Sequence, residues 1–314
     1  MKKGVRRVAV ADLGSQAFRL EVADVSEDGQ INSLYRERHP LMLAGRGPLS
    51  RVDLEEAVTV IANFGAIARR MNAPLRVAAT AVFRAQTQET QQLFLELARR
   101  ATGTAVHILT PREEATWSLR GTALGMGLSG RYLHLEVGGG STQISLGEGT
   151  ELVELEPVAM GATRLTRWLM DLGQRDPRAQ LEEATTHVRE LMAGAERMRG
   201  SAPLAVGTGG NARSLARVEN LLRGVPEYLN ILTLAGLEMI LGLPEVWSDP
   251  SDLIPRFGLP RDRVEVLVAG AILYREVLTI TGHDQLTVSE DGIRAGLIRG
   301  SDDHWAADHA GPAL

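Results

Sequence analysis

The 314-residue chain contains no cysteine, which excludes disulfides, cysteine-ligated zinc and thiol nucleophiles together. Aromatic residues make up only 4%, and without interleaved basic residues they do not build a stacking platform for single-stranded nucleic acid. Positive charge is not in excess. Lys plus Arg total 34 against 39 Asp plus Glu, a formal charge of −5, which argues against a broad nucleic-acid footprint. No uncharged apolar run approaches the roughly 18 residues of a membrane span. The run behind Met1-Lys2-Lys3 stops at Asp12, too short for the h-region of a signal peptide. These absences predict a soluble, cytoplasmic protein with no nucleic-acid or membrane partner. G-x-x-x-x-G-K-[ST], G-x-S-x-G and H-E-x-x-H are also missing, and the seven His are scattered, so a zinc site is not expected.

What is present is globular: 44% hydrophobic and 23% charged residues, at a length that suits two domains of about 150 residues each. One pattern occurs twice. Val8 to Asp12 is a short apolar strand ending in a carboxylate, followed by Gly14-Ser15-Gln16 and a second apolar strand to Val22. Tyr132 to Glu136 repeats it, followed by Gly138-Gly139-Gly140-Ser141-Thr142 and a strand from Gln143 to Leu146. Turns of Gly and hydroxyl residues gather backbone N–H groups into a concavity suited to phosphate oxygens. A carboxylate at the lip suits a hydrated divalent cation. A Gly-rich turn between strands is otherwise an ordinary hairpin, but three consecutive Gly exceed what a hairpin requires.

Strands and helices alternate around these copies. A third strand is predicted over Ile31–Glu37, a helix over Leu54–Met71 with Ser50 as N-cap, a strand over Leu75–Ala79, a helix over Thr90–Arg100 and a strand over Val106–Leu109. Thr110-Pro111-Arg112-Glu113 reads as a capping box opening a helix toward Leu124. Gly121, Gly125, Gly127 and Gly130 beyond it suggest a hinge. The second half restarts with strands Tyr132–Val137, Thr142–Leu146 and Glu151–Glu156, then helices Ala162–Leu172 and Arg178–Met198. Next come a strand Leu204–Val206, a helix from Asn211, a long helix Val264–Thr281, a strand Gln285–Val288 and a short helix Gly292–Ile298. The predicted division is 1–125, 126–300 and a frayed tail, 301–314.

In order along the chain stand the blocks DLGSQAFRLEV, AATAVFRA, REEATWSLRG, LEVGGGSTQISLG, MGATRLT, VGTGGNARSLA, LPRDRVEVLVAGAIL and VSEDGIRAGLI. Together they resemble the exopolyphosphatases and guanosine pentaphosphate phosphohydrolases (Ppx/GppA) of the actin-like ATPase superfamily, over nearly the whole chain. The resemblance implies an α/β fold of two duplicated ribonuclease H-like domains with an interdomain cleft. It also implies Mg²⁺-assisted release of terminal phosphate from inorganic polyphosphate or pppGpp by water, and homodimer formation.

The resemblance puts the catalytic carboxylate at Glu114, about 100° round the helix from the capping Glu113. There it would orient or deprotonate the attacking water; the alternative is a carboxylate favoured by the helix dipole. Asp12 and Glu136 would hold the metal, though the family has Asp at both places. Gly14, Ser15, Gln16 and Gly138 to Thr142 would cradle phosphates, with Arg19 and Arg84 as guanidinium forks. Arg164, and Arg263 with Glu265, read as structural. Gly207-Thr208-Gly209-Gly210-Asn211-Ala212, with Glu227 twenty residues beyond Gly207, fits a dinucleotide fingerprint. It comes too late in the chain for a Rossmann unit, and the resemblance makes Gly209, Gly210 and Asn211 another phosphate-facing loop. Gln143 stands where the family has a second acid; losing such a group costs about 10²–10⁴ in rate if it is the base. Two readings therefore stay open: an adapted enzyme, and a catalytically weakened sensor that binds polyphosphate or an alarmone.

Overall fold

The computed structural model describes residues 4–44, 46–173, 176–226, 228–247, 252–300 and 305. The lysines at the N-terminus, Glu227 and, apart from Trp305, the predicted tail lie outside the described residues. The chain forms two compact units. One runs to Gly125 and resumes at Asp291; the other is Met126–Glu290.

The first unit is built on β1 (Val5–Leu13), β2 (Ala17–Ser26) and β3 (Ile31–Pro40), an antiparallel meander, with β4 (Leu75–Ala79) and β5 (Val106–Ile108) parallel to β1. The sheet order is β3-β2-β1-β4-β5. Helices α1 (Arg51–Arg70), α2 (Ala81–Arg84), α3 (Gln88–Thr102) and α4 (Pro111–Met126) connect and follow the strands. Ser50 and Asp53 close a full capping box on α1. Period-two alternation decides which residues of β1 face what. Ala9, Ala11 and Leu13 pack with Leu54, Ile61, Phe64 and Phe94 of α1 and α3. Val8 and Val10 pack on the other face with Trp117 of α4 and with Ile293, Leu297 and Ile298 of the last helix, Ile293–Arg299. Both faces are covered, so β1 reads as a continuous apolar run rather than an alternating one.

The second unit repeats the plan with β6 (Arg131–Val137), β7 (Thr142–Glu148), β8 (Glu151–Val158), β9 (Ala205–Thr208), β10 (Ile231–Thr233) and β11 (Gln285–Val288). Its order, β10-β11-β9-β6-β7-β8, is the first sheet's order with β10 added antiparallel at one edge. Its helices are α5 (Ala162–Asp171), α6 (Pro177–Met192), α7 (Gly209–Arg223), α8 (Leu234–Leu241), α9 (Leu253–Phe257), α10 (Arg261–Val264) and α11 (Leu267–Thr281). Leu133, Leu135 and Val137 share a core with Leu215, Val218, Ile272 and Leu273. α11 is buried nearly all round. It tolerates Glu276 at full burial because Arg189 and Arg275 both donate to its carboxylate, at 2.5 and 2.7 Å.

Most element ends shift from the sequence reading by a few residues, and three boundaries change the architecture. The final helix was assigned to the second domain, 126–300, but its apolar face lies in the first unit's core, so the second unit ends at Glu290. The helix predicted over Arg178–Met198 tightens into a 3₁₀ segment at Ala193–Met198. The long helix starts at Leu267 rather than Val264, because Arg261–Val264 forms a separate turn. The hinge reading of the glycines also needs correction at two positions. Gly121 and Gly125 lie inside α4, where a Cβ would overlap the Gly292 carbonyl and the Asp291 side chain respectively. They are points of close packing. No helix among the described residues is long and apolar enough to cross a membrane.

Candidate active site

In the first unit the residues singled out by sequence leave one edge of the sheet. The Leu13 carbonyl at the end of β1 accepts from Thr80 N–H at 3.4 Å, and Ala79 O at the end of β4 accepts from Leu109 N–H at 2.9 Å. The carboxyl ends of β1, β4 and β5 are therefore aligned. From that edge start the Gly14–Gln16 turn, α2 with Arg84, and α4 with Glu114, the usual place for a site in an open α/β sheet.

The turn itself is braced by backbone. Ser15 O accepts from Ala44 N–H at 2.8 Å, and Gln16 O accepts from Leu41 and Met42 N–H at 3.1 and 2.9 Å. Because a trans peptide sets N–H opposite the preceding C=O, the Gln16 N–H points away from this brace. Met42 adopts φ of 50°, an uncommon left-handed conformation for a residue with a Cβ. Asp12 is buried at the lip. Its Oδ2 is 3.7 Å from Arg19 Nη1 and 3.8 Å from Arg294 Nη1. A Cβ on Gly14 would stand 3.1 Å from Ala17 O, 3.7 Å from Arg19 Nη1 and 3.8 Å from Asp12 Oδ1, so the glycine lets the turn close tightly beside the carboxylate.

Arg294 was not singled out from the sequence. It lies inside the block VSEDGIRAGLI, and only the long-range contact to Asp12 shows its place. It also lies 3.3 Å from Glu21 Oε2, a buried carboxylate whose Oε1 takes two donors from Arg36 at 3.0 and 2.8 Å.

The two adjacent glutamates of α4 have different partners. Glu113 Oε2 accepts from Thr110 N–H and Oγ1 at 2.7 and 2.8 Å, and Glu113 N–H donates back to Thr110 Oγ1 at 3.2 Å. That is the capping box. Glu114 is only 8% exposed and accepts from Arg84 Nη2 at 3.0 Å, while Arg84 Nη1 donates to Leu109 O at 2.5 Å. Arg84, named as a phosphate ligand, thus holds Glu114 against the sheet edge. A guanidinium has five donors, so this leaves it some for an anion.

In the second unit the braces are different. The Gly138 carbonyl accepts from Ala162 N–H at 2.8 Å, and Gly139 O accepts from Thr163 and Arg164 N–H at 3.1 and 3.2 Å. The N-terminus of α5 therefore caps itself on the turn. A Cβ on Gly161 would come within 2.6 Å of Gly138 O, Gly139 C and Ser141 N, so only Gly permits this docking. The same trans-peptide geometry aims the Gly139 and Gly140 N–H groups away from α5. Gly138 N–H closes the turn on Ser141 O at 2.9 Å, and Thr142 Oγ1 donates to Met160 O at 2.7 Å.

Glu136 pairs across the strands with Gln143, as Asp12 pairs with Arg19. Gln143 is buried, and its Nε2 donates to Ser141 Oγ at 3.3 Å. The third turn opens α7, with Gly209 at φ of 89°. Asn211 was assigned to phosphate. The structure instead buries it, with Nδ2 donating to Val137 O at 2.8 Å and Oδ1 accepting from Arg263 Nη1 at 3.5 Å, so its amide ties the end of β6 to Arg263 of α10. Arg263 fills the space that a Gly210 Cβ would need. Its nearby carboxylate is Asp262 at 3.8 Å, whereas Glu265 pairs with Arg261 at 2.8 Å. Arg164 donates to Ala159 O at 3.0 Å.

Sequence reasoning also passed over Tyr274, whose hydroxyl accepts from Val137 N–H at 3.4 Å and donates to Thr208 O at 3.2 Å. Burial, reinforced by the Glu136 charge, raises its phenol above the usual range. Two residues back on β6, complete burial pushes the His134 imidazole down to about 4. Its Nε2 lies 3.4 Å from Thr208 Oγ1.

Among the described residues no three His, Asp or Glu side chains gather around a point that could hold a metal. A self-contained protein cage for calcium or zinc is not formed there. Mg²⁺ asks for less, since it binds through one or two carboxylates and completes its shell with water and phosphate oxygens. Asp12, a carboxylate at the lip of the glycine turn with its nearest guanidiniums 3.7 and 3.8 Å away, fits that requirement.

A profile of the Ppx/GppA phosphatase family matches residues 20–304. The chain belongs to that family. Exopolyphosphatase 1 of Mycobacterium tuberculosis strain H37Rv is 28% identical over 310 residues, covering 93% of this chain and 87% of that protein. The guanosine-5'-triphosphate,3'-diphosphate pyrophosphatase of Vibrio parahaemolyticus is 25% identical over 300 residues. The match covers 92% of this chain and 58% of the Vibrio protein. Among solved structures, the Aquifex aeolicus family member superposes with a TM-score of 0.78 at 21% identity, covering 98% of this chain and 100% of that one. An exopolyphosphatase from Cytophaga hutchinsonii gives 0.80 at 18% identity, covering 93% and 96%. At such identities the likeness is one of fold. The duplicated α/β class implied by the sequence resemblance holds.

Proposed function

We propose that the protein releases the terminal phosphate from inorganic polyphosphate, pppGpp or both, by attack of water assisted by Mg²⁺. The observation that carries this reading is the division of roles at the start of α4. Glu113 is taken up by the capping box, while Glu114 is held by Arg84 at 3.0 Å. A carboxylate hydrogen-bonded by a guanidinium and set at the sheet edge suits the alignment of a nucleophilic water.

Phosphate oxygens would be met by backbone N–H groups. In the first unit these come from the Gly14-Ser15-Gln16 turn, with Arg19 beside it. In the second they come from Gly139 and Gly140, with the Ser141 hydroxyl and the Gly209-Gly210 turn. Gly138 and Thr142 would keep that second turn in shape, as would Asn211 from behind. Asp12 in the first unit would hold Mg²⁺, which when bound supplies charge neutralisation at the anhydride, and Glu136 is the corresponding candidate metal carboxylate of the second unit. Because phosphoryl transfer is loose, fixed positions and fixed charges supply most of the acceleration.

Phosphate release from long-chain polyphosphate and from pppGpp, followed with Mg²⁺ present, tests the reading. Release is expected with at least one of them, and Glu114→Gln is expected to lower it by about 10²–10⁴. No release from either substrate contradicts it. A second reading, a sensor that binds these polyanions without turnover, is favoured by one feature. Gln143, standing where the family has an acid, is a buried amide whose Nε2 donates to Ser141 Oγ. Gln143→Glu separates the two: a sensor gains turnover, and an adapted enzyme is unchanged or slower.

A further inference from the structure

The alternation that turns Val8 and Val10 toward α4 and the last helix turns Asp12 the same way. The last helix is held to α4 with almost no room between them. A Cβ on Gly121 would overlap the Gly292 carbonyl, and one on Gly296 the Trp117 carbonyl. Thr122 Oγ1 donates to Asp291 O at 3.1 Å. Arg299 Nη1 donates to Gly121 O at 3.1 Å, and its Nη2 to Asp291 Oδ2 at 2.9 Å. The helix cannot slide, so Arg294 near its start is delivered to a fixed point between two buried carboxylates.

The two carboxylates are treated differently. Glu21 is within 3.3 Å of Arg294 and is hydrogen-bonded by Arg36. Asp12 faces Arg294 at 3.8 Å and Arg19 at 3.7 Å, ion-pair separations longer than a hydrogen bond. A buried carboxylate needs compensating charge. The two guanidiniums at that range supply it. A divalent cation arriving at Asp12 would meet the Arg294 charge directly.

We infer that Arg294 is a positioning residue, a resident counter-ion that faces Asp12 and holds it aligned before the metal binds and yields to the divalent cation when it does. This rests on the reading of Asp12 as a metal carboxylate. It makes Arg294 and Mg²⁺ alternatives in supporting Asp12, so removing one should increase dependence on the other.

Thermal unfolding in EDTA and across a Mg²⁺ titration tests this without an activity assay, using the full chain, Arg294→Met, Asp12→Asn, Glu21→Gln and the double variant Glu21→Gln/Arg294→Met. Arg294→Met is expected to lower the metal-free Tm and to recover most of the loss with Mg²⁺. The half-point of its titration should fall about fivefold or more, the effect of one unit charge at this distance in a water-like dielectric. If Arg294→Met does not fold because Glu21 is left under-compensated, the double variant must show the same fall relative to Glu21→Gln. A Tm loss equal with and without Mg²⁺, in a protein whose Mg²⁺ response Asp12→Asn abolishes, overturns the inference alone. Absence of any Mg²⁺ response in every form, including the unmodified protein, overturns the metal reading of Asp12 and the inference with it.

Discussion

The two glycine turns share a design and are held in different ways. Gly14 and Gly138 occupy equivalent places; a Cβ on either would stand 3.1 Å from the carbonyl three residues on, Ala17 O or Ser141 O. Behind the first turn lies a loop, Leu41 to Ala44, which donates N–H groups to it and carries Met42 at positive φ. Behind the second lies the N-terminus of α5, docked through Gly161. Strand residues differ as well. The pair Asp12–Arg19 in one hairpin corresponds to Glu136–Gln143 in the other, and Val10 of β1 corresponds to His134 of β6. The lesson is a division of labour. The first turn keeps guanidinium charge around it, with Arg19 and Arg294 near Asp12, whereas the second is a backbone cradle clamped by a helix.

The largest contrast is within the first unit. Glu114→Gln removes the carboxylate that Arg84 holds, and Glu113→Gln only weakens a cap, a change of about 1 kcal/mol in stability. Acid should separate the units next. His134 is buried and neutral in the folded state, while in the unfolded chain it takes up a proton near its ordinary value of about 6.5. Its contribution is therefore complete above that pH and is lost as pH falls from about 6.5 toward 4, by roughly 3 kcal/mol in all. Val10, its counterpart, does not titrate. Hydrogen exchange at pH 5 should show the second unit loosening before the first, and His134→Gln should flatten the pH dependence of stability. Equal loosening of both units breaks this part of the comparison.

The smallest contrast concerns the braces. Gly161→Ala must push α5 off the turn, at a cost of about 1–3 kcal/mol, whereas Gly14→Ala meets its nearest atom at 3.1 Å and should cost less. Urea unfolding of the two variants measures the difference. A larger loss for Gly14→Ala would show that the first turn is the stiffer one.

How much of this was legible in the sequence depended on the range of the contacts. The Thr110–Glu113 box and the Ser50 cap were readable because their partners are three residues apart. The repeated strand-turn-strand copies were readable because their signal is local periodicity. Arg294 was not, since its partner Asp12 is brought near by the packing of glycines on α4. Asn211 was misassigned for a similar reason. A G-x-G-x-x-A run shows where a turn lies, but not that its Asn amide faces inward to the Val137 carbonyl. β10 and α8 were missed because Ile231 to Leu243 is a nearly unbroken apolar stretch, in which no period separates strand from helix.

Glu114 is the residue proposed to align water, and one side-by-side measurement tests that role. Phosphate release from long-chain polyphosphate and pppGpp is compared for the unmodified protein, Glu113→Gln and Glu114→Gln, with Mg²⁺ and with binding of each substrate measured in parallel. Release should survive Glu113→Gln and fall about a hundredfold or more in Glu114→Gln while binding persists. Turnover in Glu114→Gln equal to that of the unmodified protein would contradict it.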